Sequence, residues 1–175
     1  MVTATPGERR IVLVRHAKSV PKDAAATDFE RPLADRGRQE APQTGQWLED
    51  SGRCLDLALC SSALRTRQTW QLMEARLTGP PPVVYEDRLY NAERDALLAV
   101  LAETSEAVGD LLLVGHNPGI HEVAVALCGT GPKRLLGRIR DGFPTSAVVV
   151  IELAGNWREV EPGAGRLMVF WAPGD

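Results

Sequence analysis

Cysteine is scarce: Cys54, Cys60 and Cys128 are the three in 175 residues, and they make neither an even framework nor a CxxC pair. That excludes a disulfide scaffold and fits a chain whose thiols stay reduced. Long apolar runs are missing as well. The first ten residues, MVTATPGERR, are polar, and the apolar run that follows is Ile11 to Val14. A secretory core needs roughly twice that length and a spanning helix about 20 apolar residues, so a cytoplasmic protein without membrane contact is expected. There is no excess of basic charge. Lys plus Arg number 20 against 23 Asp plus Glu, a net charge of −3, and the pI is about 5.7. That balance argues against nucleic acid as a partner. Repeats and low-complexity tracts are absent, and the one proline run, Pro80 to Pro82, reads as a stiff connector.

What is present is an ordinary globular composition, 44% hydrophobic and 25% charged. The length suits one domain, which buries roughly 70% of its unfolded surface without needing a staple. The expected division is a polar arm over 1–10 and a single domain over 11–175. Short β-branched or apolar runs mark strands at Ile11–Arg15, Leu55–Cys60, Val83–Tyr85, Leu111–Gly115, Ala147–Leu153 and Leu167–Trp171. Helical spacing fills the intervals over 35–50, 64–77, 92–108 and 118–128. Pro42 is expected to kink or split the first helix, and Pro118 with Gly129 brackets the last. This alternation implies an α/β fold with a mostly parallel sheet covered on both faces, and the two late strands are expected to add an antiparallel edge. Ligands in such sheets bind beyond the carboxyl ends of the strands.

Four strand ends carry polar residues of one chemical kind. The first delivers Arg15-His16, the second Ser61, Ser62, Arg65 and Arg67, the third Glu86, Asp87 and Arg88, and the fourth His116-Asn117-Pro118-Gly119. Each has a bland account, a packed turn or a solvated helix face. The bland accounts do not predict that imidazoles and guanidiniums gather at one sheet edge. Arginine offers paired planar donors to phosphate oxygens, and neutral imidazole is a nucleophile.

The segments LVRHAKS, SSALRTRQT and VGHNPG resemble the histidine phosphatase superfamily, also called phosphoglycerate-mutase-like. FERPLADRGRQEA, over 29–41, resembles its small SixA-type phosphohistidine phosphatase branch. The resemblance runs from about Ile11 to Leu153 and implies a three-layer α/β/α sandwich. It implies that His16 is the residue phosphorylated, that Arg15 and Arg65 bind the phosphoryl group, and that His116 is the second active-site histidine. Ser19 and Asn117 are expected beside the bound phosphate. Asp87, in an E-D-R-L-Y context, is expected as general acid, with Glu86 and Glu93 as contenders. No metal or cofactor is expected, because the arginines supply the positive charge. The expected partner is a phosphorylated protein or small phosphorylated molecule, with inorganic phosphate as product.

Other readings meet specific obstacles. Cys60 precedes Arg65 with four intervening residues, whereas the cysteine phosphatase loop has five. His116 and His121 are five apart, off one helix face, which disfavours a metal site with His16. Gly129–Lys133 lacks P-loop spacing. A mutase needs extra loops, a broad small-molecule phosphomonoesterase fits the same residues, and a non-catalytic phosphate-recognition module would retain the scaffold without turnover. Lys133, Arg134, Arg138 and Arg140 read as a solvated basic loop, with a place at the mouth of the site as the alternative.

Overall fold

The computed structural model describes residues 8–175. The arm expected over 1–10 lies mostly outside the described residues, and its end is strand: β1 begins at Glu8. The strands are β1 (Glu8–Arg15), β2 (Leu57–Ser61), β3 (Val83–Glu86), β4 (Asp110–Gly115), β5 (Cys128–Thr130), β6 (Val148–Ala154) and β7 (Gly165–Trp171). The helices are α1 (Asp35–Asp50), α2 (Leu64–Glu74), α3 (Arg94–Ala102), α4 (Gly119–Leu127) and α5 (Lys133–Asp141). One sheet holds the strands in the order β3-β2-β4-β1-β6-β7-β5.

Alternation along the central strands builds two cores. Ile11 and Leu13 of β1, Leu111 and Leu113 of β4, and Val149 and Ile151 of β6 face one side, with Leu97, Leu101, Ile120 and Ile139 from α3, α4 and α5. Val12, Val14, Leu112, Val114, Val148 and Val150 face the other side, with Leu48, Trp70 and Met73 from α1 and α2. A strand buried on both faces must be apolar at every position, which is why β4 reads LLLV without a break. The result is the three-layer sandwich expected.

Three expectations are corrected. β6 is antiparallel to β1 and β7, but it lies inside the sheet rather than at its edge. The edge is β5, a three-residue strand parallel to β7. Pro42 does not split α1, which runs unbroken through it. The carbonyl it leaves without an amide partner is that of Arg38, an exposed residue where solvent takes the bond. The basic stretch at Lys133 is helix α5, not a loop. Arg138 pairs with Asp175 and lies over Phe170, and none of its four cations lines the cavity described next.

Two glycines of the motifs are there for room. A Cβ on Gly37 would meet the Lys18 carbonyl oxygen at 2.0 Å, and one on Gly119 the Ala92 carbonyl oxygen at 2.0 Å. Both let a helix start press against the backbone beside the strand ends.

Candidate active site

Strand register brings the two histidines together. β1 and β4 are adjacent and parallel, with Arg15 opposite Gly115, so the next residues, His16 and His116, leave the sheet side by side. Their ring centroids are 5.2 Å apart. β2 flanks β4 with Cys60 opposite Val114, which sets Ser61 level with Gly115 and its Oγ 2.7 Å from His116 Nε2. The main chain at His16 extends the ladder, donating to the Gly115 carbonyl.

Hydrogen bonding sets the His16 tautomer. His16 Nδ1 lies 2.8 Å from the Ala17 carbonyl oxygen, which can only accept, so Nδ1 carries the hydrogen. Nε2 keeps its lone pair and has no hydrogen-bond partner among the described residues. His116 Nε2 shares a hydrogen bond with the Ser61 hydroxyl, and its Nδ1 is buried without a partner.

A cavity of about 520 Å³ opens at this edge, lined by Arg15, His16, Ser19, Arg65, His116 and Asn117 among others. Arg65 is 3% exposed. Its Nη1 donates to the Asp28 carbonyl at 2.7 Å and its Nη2 to Asp28 Oδ2 at 3.2 Å, while Nε is buried without a hydrogen bond. The Tyr90 hydroxyl donates to the same Oδ2 at 2.9 Å, and the Tyr90 ring packs edge-on against His116. Arg15 Nη1 and Asn117 Nδ2 both donate to the Phe143 carbonyl. That fixes both side chains, and it means Asn117 does not cap α4.

Burial, then the Arg65, Arg15 and Arg31 charges, outweigh the Ala17 bond and lower the His16 pKa to about 3. Burial first, then His16 and Arg65, lowers His116 to about 2. Both rings are therefore neutral at pH 7, as a nucleophile must be. The linkage sign follows. Below the ordinary value of 6.5 the unfolded histidines take up protons that the folded ones refuse, so stability falls as pH drops from about 6.5 toward 3 and 2. Each histidine is expected to cost about 1.4 kcal/mol per pH unit in that window. Denaturant titration at pH 7 and pH 5 should show the loss, and His116→Gln should remove about half of it. An unchanged loss in that variant would rule out His116 as the source.

Of the residues expected from the sequence, Arg15, His16, Ser19, Arg65, His116 and Asn117 converge on the cavity. Asp87 does not. It is exposed, accepts a hydrogen bond from the Ser62 hydroxyl, and is not among the lining residues. Glu86 is tied to Arg88, and Glu93 lies at a separate surface depression beside Arg94. The sequence reading missed Asp28 and Arg31. Both stand between β1 and α1, Arg31 within the FERPLADRG stretch and Asp28 just before it, where nothing local shows that the chain folds back over the strand ends. On that return Val20, Pro21, Lys22, Asp28, Arg31 and Ala34 wall one side of the cavity. Burial works to raise the Asp28 carboxyl, but the Tyr90 hydroxyl, Arg65 and Arg31 together hold it below the ordinary carboxylate range. Cys60 is buried and its thiol pushed up, so it is no nucleophile. His121 bonds the Ile139 carbonyl, away from the other two histidines.

The model of the histidine phosphatase superfamily (branch 1) matches residues 11–112. The chain belongs to that superfamily. An uncharacterized Mycobacterium tuberculosis protein, Rv1276c, is 38% identical over 162 residues, covering 91% of this chain and 99% of that protein. Among solved structures, the Agrobacterium tumefaciens protein assigned as phosphohistidine phosphatase SixA superposes with a TM-score of 0.80 at 33% identity, covering 97% of this chain and 100% of that one. Its Nakamurella multipartita counterpart gives a TM-score of 0.80 at 29% identity, with 97% and 98% covered. Membership and these SixA-type neighbours make hydrolysis of a phosphorylated compound the activity class. No helix among the described residues is long and apolar enough to cross a membrane.

Proposed function

We propose that the chain is a phosphohistidine phosphatase that works through a covalent phosphohistidine on His16. The observation that carries this is the register-matched pair of neutral imidazoles, 5.2 Å apart, with Arg15 and Arg65 lining the same cavity. His16 Nε2 attacks phosphorus in line, the bond from phosphorus to the leaving group breaks, and the leaving group keeps the electron pair. Arg15, Arg65 and His116 hold the equatorial oxygens, where fixed donors do most of the work in phosphoryl transfer. The His16 ring is then cationic, and its Nδ1–H bond to the Ala17 carbonyl supports that charge. Water attacks in turn, the N–P pair returns to Nε2, and both water hydrogens leave with the phosphate. This chemistry uses only side chains of the chain itself.

The missing acid supports a nitrogen leaving group. Asp28 is the one carboxylate lining the cavity among the described residues, and its pKa is held below the ordinary range. A phosphorylated imidazole that already carries its second proton departs neutral without help, whereas an alkoxide needs a proton donor. A phosphohistidine protein is therefore expected to be hydrolysed with a kcat/KM at least about 10²-fold above that for alkyl phosphomonoesters. Label trapped on the enzyme should be acid-labile and base-stable. Equal turnover of both substrate kinds would favour a broad phosphomonoesterase instead, and binding of phosphate without any turnover would favour a recognition module.

A further inference from the structure

Two of the chain's three lysines, Lys18 and Lys22, line the same cavity as the histidines, while the third, Lys133, begins α5. Apart from Lys133, positive charge elsewhere among the described residues is arginine, some of it in ion pairs such as Arg10 with Asp110, Arg88 with Glu103 and Arg138 with Asp175. Among the described residues the cavity holds five cations, Arg15, Lys18, Lys22, Arg31 and Arg65, against the single carboxylate of Asp28. This imbalance stands out in a chain of net charge −3. Asp28 cannot serve the lysines, because Arg65, Arg31 and Tyr90 already hold it. Glu40, which reaches the wall through Thr145, is held by Arg36. Neither lysine side chain has an ion pair or hydrogen-bond partner among the described residues, and both residues are exposed.

A phosphoryl dianion is matched by Arg15 and Arg65, which leaves the lysine side of the cavity uncompensated. Concentrated charge of one sign with low-dielectric walls draws in a counter-charge. An ammonium on a flexible stem suits that task, since it binds carboxylates or phosphates at many angles where a guanidinium demands a planar match.

We propose that Lys18 and Lys22 form a second anion subsite, so that the preferred substrate carries a further negative group beside its phosphoryl group. This rests on the phosphatase reading above and adds the substrate's charge to it. The ligand chemistry is shared by acidic side chains flanking a phosphohistidine in a protein and by a small acid bearing both phosphate and carboxylate.

The experiment separates these sources and does not depend on turnover alone. Wild type, Lys18→Gln/Lys22→Gln and the control Lys133→Gln are compared. In a binding arm, pyrophosphate and inorganic phosphate are titrated against the thermal midpoint. In the turnover arms, phosphohistidine peptides flanked by Glu or by Gln form one pair, and 3-phosphoglycerate with glycerol 3-phosphate the other. The more anionic member of a pair is expected to be preferred about tenfold, mainly through KM, with the preference shrinking at high salt. The double variant should bring the ratio near one and the control should keep it. The pyrophosphate advantage in binding should vanish with the same two lysines. Preference confined to one turnover pair identifies the source. Equal ratios in wild type, or a preference that survives loss of both lysines, overturns the subsite. Absence of all turnover with the pyrophosphate advantage intact overturns the phosphatase reading and leaves the subsite standing.

Discussion

Alanine at position 16 is expected to lower kcat/KM on any phosphorylated substrate by on the order of 10⁴ or more, because the proposed covalent route has no substitute nucleophile. His116 cannot take over. Its Nε2 is engaged by Ser61, and its Nδ1 is buried. Cys60, the nearest sulfur candidate in the chain, is buried with its thiol pushed up. The same variant should fail to trap labelled phosphate. His16 stands beyond the end of β1, outside both apolar clusters, so the circular dichroism of the folded protein should persist. A folded His16→Ala protein that kept a few per cent of wild-type turnover, or still carried label, would remove His16 from the nucleophile's role.

Arg65→Ala is expected to be the second largest loss, about 10² to 10³ in kcat/KM, the range for one fixed donor to developing charge. The side chain is held from one side by Asp28 and lies over the Tyr90 ring, with its guanidinium carbon 5.8 Å from the centroid. Its direction is therefore set before substrate arrives, and no ordering is required at the moment of reaction. Arg65→Lys should fall closer to the alanine variant than to wild type, since one ammonium cannot serve Asp28 and the phosphoryl group together. Stabilisation of the protein by inorganic phosphate, read as a rise in Tm, should shrink in both variants. If both fold and lose less than about tenfold, Arg65 does not hold the transferring group.

Under the proposed function, extra cations in a cavity that holds no acid have one functional sense. A carboxylic acid in the cavity would lend its proton to oxygen leaving groups. Asp28 is instead kept ionised by Tyr90 and two arginines, beside Arg65. Such a cavity suits the proposed substrate, whose leaving group departs unaided and which is richer in charge than a simple monoester.

Local chemistry alone determined much of this molecule. The apolar runs named the central strands, because a strand covered on both faces has no room for a polar residue, and α1 was bounded correctly over 35–50. The residues that follow those strands, Arg15-His16 and His116-Asn117, were legible as a site because chain ends of parallel strands share one edge. α5 was legible in principle too, since Leu135, Leu136 and Ile139 recur at helical spacing, but the basic residues around them hid it.

The rest needed the tertiary structure. β5 is three residues long, and its pairing with β7 is set by a distant partner, so no local preference marks it. Asp87 matched a sequence context, yet the short turn over 87–89 aims it at Ser62 and leaves only Tyr90 near the histidines. Asp28, Arg31, Lys18 and Lys22 entered the cavity because the segment between β1 and α1 folds back over the strand ends, pinned where Gly37 lets α1 press on the Lys18 carbonyl. Direction in space is decided by what a segment packs against, and that contact is remote in the chain.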